Sequence, residues 1–229
     1  MRKIFYLLVM LVVLDIFNTR ILSATVMTAT YQEFEDEHSV GQAIGETVIT
    51  FEDISDNEAI LNRQKQYERC LTHDNFVLDR DYAVTKWTRV CPEEGTDFTA
   101  EREGNVLKIQ GKQEGAIVDK EIELGFKPIY IYPKYSLSKF ALSGMREMEF
   151  WTLRRDKLSK LPMRARKEGV ETIVLNGKEV EAIKVFYSIE GKLREKQYYR
   201  YYFFRKSDGM YIKKIEPKGK IELLIKEGH

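Results

Sequence analysis

Apolar and polar residues alternate along most of the chain, and short groups of Gly, Asn, Asp and Pro interrupt the alternation. A period of two is the mark of strands with one face turned inward, and the interruptions are turns. The pattern is clearest in the last third. Residues 170–175 and 178–188 are rich in Val, Ile, Phe and Tyr, and Asn176-Gly177 between them suits the two positive-φ positions of a type I′ hairpin. Three further strands follow, over residues 194–204, 210–216 and 221–225, separated by Ser207-Asp208-Gly209 and Pro217-Lys218-Gly219. Five consecutive antiparallel strands are therefore expected. In the last of them, Ile221, Leu223 and Ile225 form one apolar face.

The N-terminal half repeats the style less cleanly. Candidate strands cover residues 42–52, 58–69, 82–90, 97–103, 106–110 and 116–124. Between the halves, residues 126–135 form an aromatic segment that Pro128 and Pro133 keep out of regular pairing. A short helix is expected over residues 136–143, capped by Ser136 and closed by Gly144, with a second helical turn at residues 155–160. These elements describe a mainly β, antiparallel meander with one or two short helices.

The N-terminus bears on compartment. Arg2 and Lys3 precede an apolar run from Ile4 to Leu14, and Leu22-Ser23-Ala24 supplies the small residues of a cleavage site. This is signal-peptide anatomy, too short for a spanning helix. Thr25 stands where a lipoprotein signal needs cysteine, so cleavage near Ala24 into a free periplasmic protein of residues 25–229 is expected, without a transmembrane anchor. Only Cys70 and Cys91 occur, and in an oxidising compartment they are expected to pair.

Near-neutral net charge hides an asymmetry. Residues 25–104 carry 18 acidic and 7 basic side chains, whereas residues 105–229 carry 17 acidic and 27 basic. Opposite halves of one fold complement each other more simply than they bind nucleic acid, for which overall positive charge is usual. No nucleic-acid partner is expected. Three histidines show neither metal-ligand spacing nor a place beside a nucleophile, and Gly-x-Ser-x-Gly and phosphate-cradling glycine loops are absent. The protein is read as a non-enzyme without metal or cofactor.

Residues 149–225 carry a more particular pattern. Phe150-Trp151, Ala165 to Gly169, Asn176-Gly177-Lys178, Ala182 to Val185, Tyr201-Tyr202-Phe203 and Ser207-Asp208-Gly209 follow in order. The sequence resembles the bacterial envelope family called domain of unknown function 3108, although Tyr199 or Tyr201 stands where tryptophan is usual. The resemblance implies a sheet curved into the half-open barrel of lipoprotein carriers and assigns no catalytic residue.

Residues 198–204 are aromatic on both faces: Tyr199, Tyr201 and Phe203 alternate with Tyr198, Tyr202 and Phe204. A strand covered on one side only has no need of this. Either a helix covers the second face or the concave side encloses an apolar ligand. An apolar lining from Trp151, Ile183, Val185, Tyr187, Tyr199, Tyr201 and Phe203 suits a lipid or acyl chain. Arg154, Arg155, Arg164 and Arg166 are candidates for an anionic headgroup. The alternative is an envelope protein-interaction factor with a closed core.

Overall fold

The computed structural model describes residues 25–55, 57–67, 70–191 and 198–228, without the side chains of 25, 37, 53, 66, 67 and 70. The signal segment and the loop of residues 192–197 lie outside the described residues. Fourteen strands form one antiparallel sheet among them. Eight belong to the first half: β1 Thr25–Phe34, β2 Gly45–Ser55, β3 Glu58–Tyr67, β4 Cys70–Asp79, β5 Val84–Cys91, β6 Thr96–Glu103, β7 Val106–Gln113 and β8 Ala116–Glu123. A helix, α1 Pro133–Leu142, separates them from β9 Glu147–Arg154, β10 Ser159–Leu175, β11 Lys178–Ile189, β12 Tyr199–Arg205, β13 Tyr211–Ile215 and β14 Ile221–Gly228.

Each half is an uninterrupted meander, and the two meet where the first strand pairs with the last. The sheet edges, β8 and β9, are therefore neighbours in sequence. They form no ladder with each other, so the sheet is an open barrel rather than a closed one. Side chains span the seam instead. The Gln113 amide donates to the Arg155 carbonyl, Lys120 to the Leu158 carbonyl at 2.8 Å, and Lys160 to the Glu123 carbonyl. The segment before α1 crosses between the halves, pinned to β9 by a bridge of Ile129 to Trp151 and to β5 by the Val84 amide on the Ile129 carbonyl at 2.9 Å.

The helix begins three residues earlier than its sequence signals suggest. Pro133 at its first turn, whose fixed φ suits that position, starts it, and Ser136 is buried inside it. It packs on the inner face of the sheet, where Phe51 stacks on Tyr135 at 5.4 Å and Phe76 on Tyr132 at 5.8 Å. The second helical turn expected at residues 155–160 is instead the β9–β10 turn, with Leu158 at φ 43°. Alternation also failed to reveal β1, β4 and β9. Their charged residues interrupt the apolar period, and in β1 and β4 the interrupting Glu33 and Asp74 are buried in ion pairs.

Asn176 and Gly177 both have positive φ, as the expected hairpin requires. That hairpin continues beyond a bulge at Lys167/Gly169 and reaches back over the outer face, where the Asn176 amide approaches the Ile225 carbonyl at 3.5 Å. Ile173 and Val174 of this arm share a groove of about 440 Å³ with Phe203, Ile215, Ile221 and Leu223. The inner face of β12 is covered by α1 and its neighbours, and on the outer face the arm meets Phe203, while Tyr199 and Tyr201 are half-buried beside Phe186. The apolar face of β14 is the outer one, while Glu222 and Leu224 turn inward.

Strand β4 runs between β3 and β5 and starts at Cys70. The register His73↔Val90, carried one step on, sets Cys91 beside Thr72, two residues along β4 from Cys70. Cys91 is buried and has no free thiol; the Cys70 side chain lies outside the described residues.

Two outcomes follow for stability. A non-reducing peptide map should recover Cys70 and Cys91 in one linked species, and Cys91→Ala should destabilise by roughly 3 kcal/mol in denaturant unfolding. Recovery of both as alkylated thiols from unreduced protein refutes the pairing. A Cβ on Gly111, at φ +136°, would stand 2.3 Å from the Asp97 carbonyl oxygen. Gly111→Ala should therefore lower stability by about 2 kcal/mol or more, through strained backbone and loss of the β6–β7 approach.

Candidate functional site

A cavity of about 600 Å³ opens at the end of the sheet where β1 passes into β2. Its walls come from β1, β3, the first turn of α1, the β9–β10 turn and β11 to β14. Seven cationic side chains line it: Arg63 and Lys65 of β3, Lys134 of α1, Arg154 and Arg155 at the β9–β10 turn, Arg200 of β12 and Lys214 of β13. Four carboxylates face them, from Glu33, Asp156, Glu216 and Glu222, leaving a surplus of three positive charges. Tyr187, Tyr198 and Tyr202, with Leu161 and Ile189, form a less polar wall.

Alternation explains how buried charges arise on these strands. On β3, Ala59, Leu61, Arg63 and Lys65 are buried and share a face, with the apolar pair deep and the basic pair at the mouth. On β14, Glu222 lies inside opposite Glu33 of β1. Two carboxylates directly opposed across a ladder repel each other. Cations offset the repulsion on each side. Lys65 and Lys220 pair with Glu33, the second at 3.3 Å. Lys134 and Lys214 pair with Glu222, the second at 3.5 Å, and the Tyr211 hydroxyl donates to it at 2.9 Å. Deeper, Asp74 accepts from Arg63, from Arg89 at 3.2 Å and from the Trp87 indole at 2.9 Å.

Burial and pairing set the protonation states. Burial acts to raise the carboxyl of Glu222, but Lys134 and Lys214 outweigh it and hold that group well below the usual carboxylate range. Asp74 is likewise lowered, because Arg63, Arg155 and Arg89 overcome its burial. Lys134 goes the other way: burial lowers it from 10.5 to about 7, against the attraction of Glu222. Its ammonium lies over the rings of Tyr211, Tyr31 and Tyr132, at 5.2 to 5.5 Å from their centroids. Rings supply only part of what water would.

Of the residues singled out from sequence, Tyr187, Arg154 and Arg155 line this cavity. Val185 is buried on the same inner face, and Ile183 lies on that face farther from the mouth. Tyr199, Tyr201 and Phe203 are on the outer face, because they pair in register with Ser188, Phe186 and Lys184 and not with the inward Tyr187 and Val185. Trp151 also faces outward, beneath Lys127 and Lys160, with its indole donating to the Leu124 carbonyl at 2.6 Å. Arg164 and Arg166 bind Glu147 and Glu168 away from the cavity. The inner lining is thus charged and tyrosine-rich, whereas an apolar one was expected. Sequence reasoning missed Arg63, Lys65, Lys134, Arg200 and Lys214. A basic residue in phase with the apolar positions of β3 was the available signal.

Fold and site together define an antiparallel, barrel-like protein with a cation-rich cavity at one end. Among solved structures the chain is similar to a beta-barrel-like protein of domain of unknown function DUF1849 from Brucella abortus. The TM-score is 0.54 at 12% identity, over 88% of this chain and 96% of that one. No family model matches the sequence, and no curated protein matches it.

The lysine gives the site a pH signature. Unfolded Lys134 keeps its proton up to about 10.5, whereas folded Lys134 releases it at about 7. Between these values the unfolded state binds more protons, so this group's contribution to stability rises with pH and is gone below about 7. Relative to Lys134→Met, the wild type should gain on the order of 2 kcal/mol from pH 7 to pH 9. Denaturant unfolding at both pH values reads this directly, and parallel profiles contradict it. Glu222 and Asp74 act in the same direction in a lower window: their lowered values contribute stability that is lost as pH falls below about 4.

Proposed function

We propose that the protein is a non-enzymatic binding or carrier protein of the bacterial cell envelope, which receives an amphiphilic molecule by its anionic end. The observation that carries this reading is the surplus of three cations in a cavity whose other wall is tyrosine and aliphatic. Such a surface pairs with a headgroup on one side and with apolar atoms on the other. The barrel axis beyond the cavity is filled by α1 and the aromatic core, so an acyl chain lies at the mouth and does not thread the sheet.

Several features support binding over chemistry. Glu33, Glu222 and Glu216 are each engaged with two cations. Asp156 is held by Arg154 at 2.6 Å. These carboxylates neutralise one another's partners and are not poised as acid and base. The expected signal segment and the resemblance to domain of unknown function 3108 are what support an envelope location in this proposal. A barrel-like neighbour is compatible with a carrier fold.

A second reading, an envelope interaction factor, is favoured by one surface feature. Phe126 is 96% exposed at the end of the sheet opposite the cavity mouth, beside a recess lined by Pro128, Met145 and Met148. Apolar surface of this kind suits a protein partner.

Native mass spectrometry and lipid extraction of protein purified from envelope fractions distinguish the two. An added mass that extracts as an anionic amphiphile, and that is lost in the Arg154→Glu/Arg155→Glu variant, is expected. Ligand-free protein bound stoichiometrically to another polypeptide through the Phe126 surface would count against the carrier.

A further inference from the structure

Resting on that reading, we infer that the cavity selects a phosphate-type dianion, seated between the first turn of α1, Arg63 and Arg155. The class comprises soluble phosphate monoesters and lipid headgroups ending in a phosphate monoester.

Charge is the first argument. Cationic side chains outnumber carboxylates in the lining by three, and with Lys134 releasing its proton at about 7 and Arg63 paired to Asp74 the balance remains positive and suits an anion. Geometry is the second. Tyr132, Pro133 and Lys134 put the start of α1 in the cavity wall. No side chain caps this ten-residue helix and no acidic residue lies in its first turn. Pro133 has no amide hydrogen and the Tyr135 and Ser136 amides donate to the Tyr132 carbonyl at 3.2 Å, so this helix end offers an oxyanion the Lys134 amide and the positive end of the dipole. Lys134 at that end adds positive charge where the dipole is already positive, and the carboxylate of Glu222 offsets only one of the two neighbouring lysines.

The third argument comes from a group the fold leaves over. The Tyr132 hydroxyl is buried and has no hydrogen-bond partner among the described residues, although the residue lines the cavity and is only 4% exposed. A buried hydroxyl normally finds a partner. Arg63 and Arg155 line the same cavity as Tyr132, Arg63 lies 5.4 Å from the centroid of its ring, and both guanidinium groups act electrostatically on its hydroxyl. Two guanidinium groups and an unpartnered phenol in one lining match the several acceptor oxygens of a tetrahedral phosphate better than the two of a planar carboxylate. The cavity is larger than phosphate alone, and Tyr187, Tyr198, Leu161 and Ile189 take the organic remainder.

Titration calorimetry on the mature chain, with methyl phosphate, inorganic phosphate and acetate, tests the inference. Co-flotation with phosphatidylcholine vesicles containing or lacking phosphatidic acid runs beside it. Saturable phosphate binding with acetate at least tenfold weaker is expected. Tyr132→Phe should weaken phosphate about five- to tenfold, and Arg155→Gln about tenfold or more. The melting temperature of unliganded Tyr132→Phe should equal or exceed that of wild type, because the hydroxyl it removes has no partner to lose. Binding of methyl phosphate assigns the soluble source; flotation only with phosphatidic acid assigns the headgroup; either supports the inference. Equal or tighter binding of acetate, or unchanged affinity in Tyr132→Phe, overturns it and leaves the anionic-ligand reading standing. Absence of binding to every anion and vesicle overturns both.

Discussion

Everything in this architecture depends on the pairing of the first strand with the last. Two meanders, each locally connected, become one wall only because β1 and β14 share a ladder. That contact joins residues nearly the whole described chain apart, so its loop-closure entropy must be met by what the pairing buries. Tyr31 and Leu224 meet inside, while Phe34 and Ile221 meet on the other face. The same ladder opposes Glu33 to Glu222, and the lysines gathered to neutralise them form one side of the cavity. Closure of the fold and creation of the site are thus one event.

Helix α1 works as a wedge with two unlike ends. Leu137, Phe140 and Ala141 supply apolar filling, while Lys134 brings a charge into the core. Taking a lysine out of water is unfavourable unless paired, and replacing such pairs by apolar groups is often neutral for stability. Lys220 of the basic half reaches Glu33 of the acidic half, and Arg155 acts on Asp74 across the same divide. The opposite charges of the halves are partly used in assembling the cavity.

The rest of the sheet deals with its own exposed surfaces. Edge strands offer unpaired backbone groups to other chains. Here β8 and β9 face one another, and Lys120, Lys160 and Gln113 cross the gap to carbonyls on the other side. The outer face of β12 to β14 would expose Phe203, Ile215 and Leu223, and the arm of β10 and β11 lies over it. The aromatic strand is double-faced because two different layers pack on it, neither of which is a ligand.

Local rules in the sequence determined a great deal. Alternation with turn residues gave the antiparallel, mainly β class, the five C-terminal strands and the Asn176-Gly177 hairpin, because strand period and turn conformation depend on residues a few positions apart. They could not say which face of a strand is inside. Tyr199, Tyr201 and Phe203 are as aromatic as Tyr198, Tyr202 and Phe204, and bulges at Lys167/Gly169 and Phe203/Phe204 reset the phase. Only the assembled sheet, with α1 on one side and the arm on the other, decided that. The site is equally non-local. Arg63, Lys134, Arg155 and Glu222 lie far apart along the chain, and their charges acquire a common meaning only when β1 meets β14.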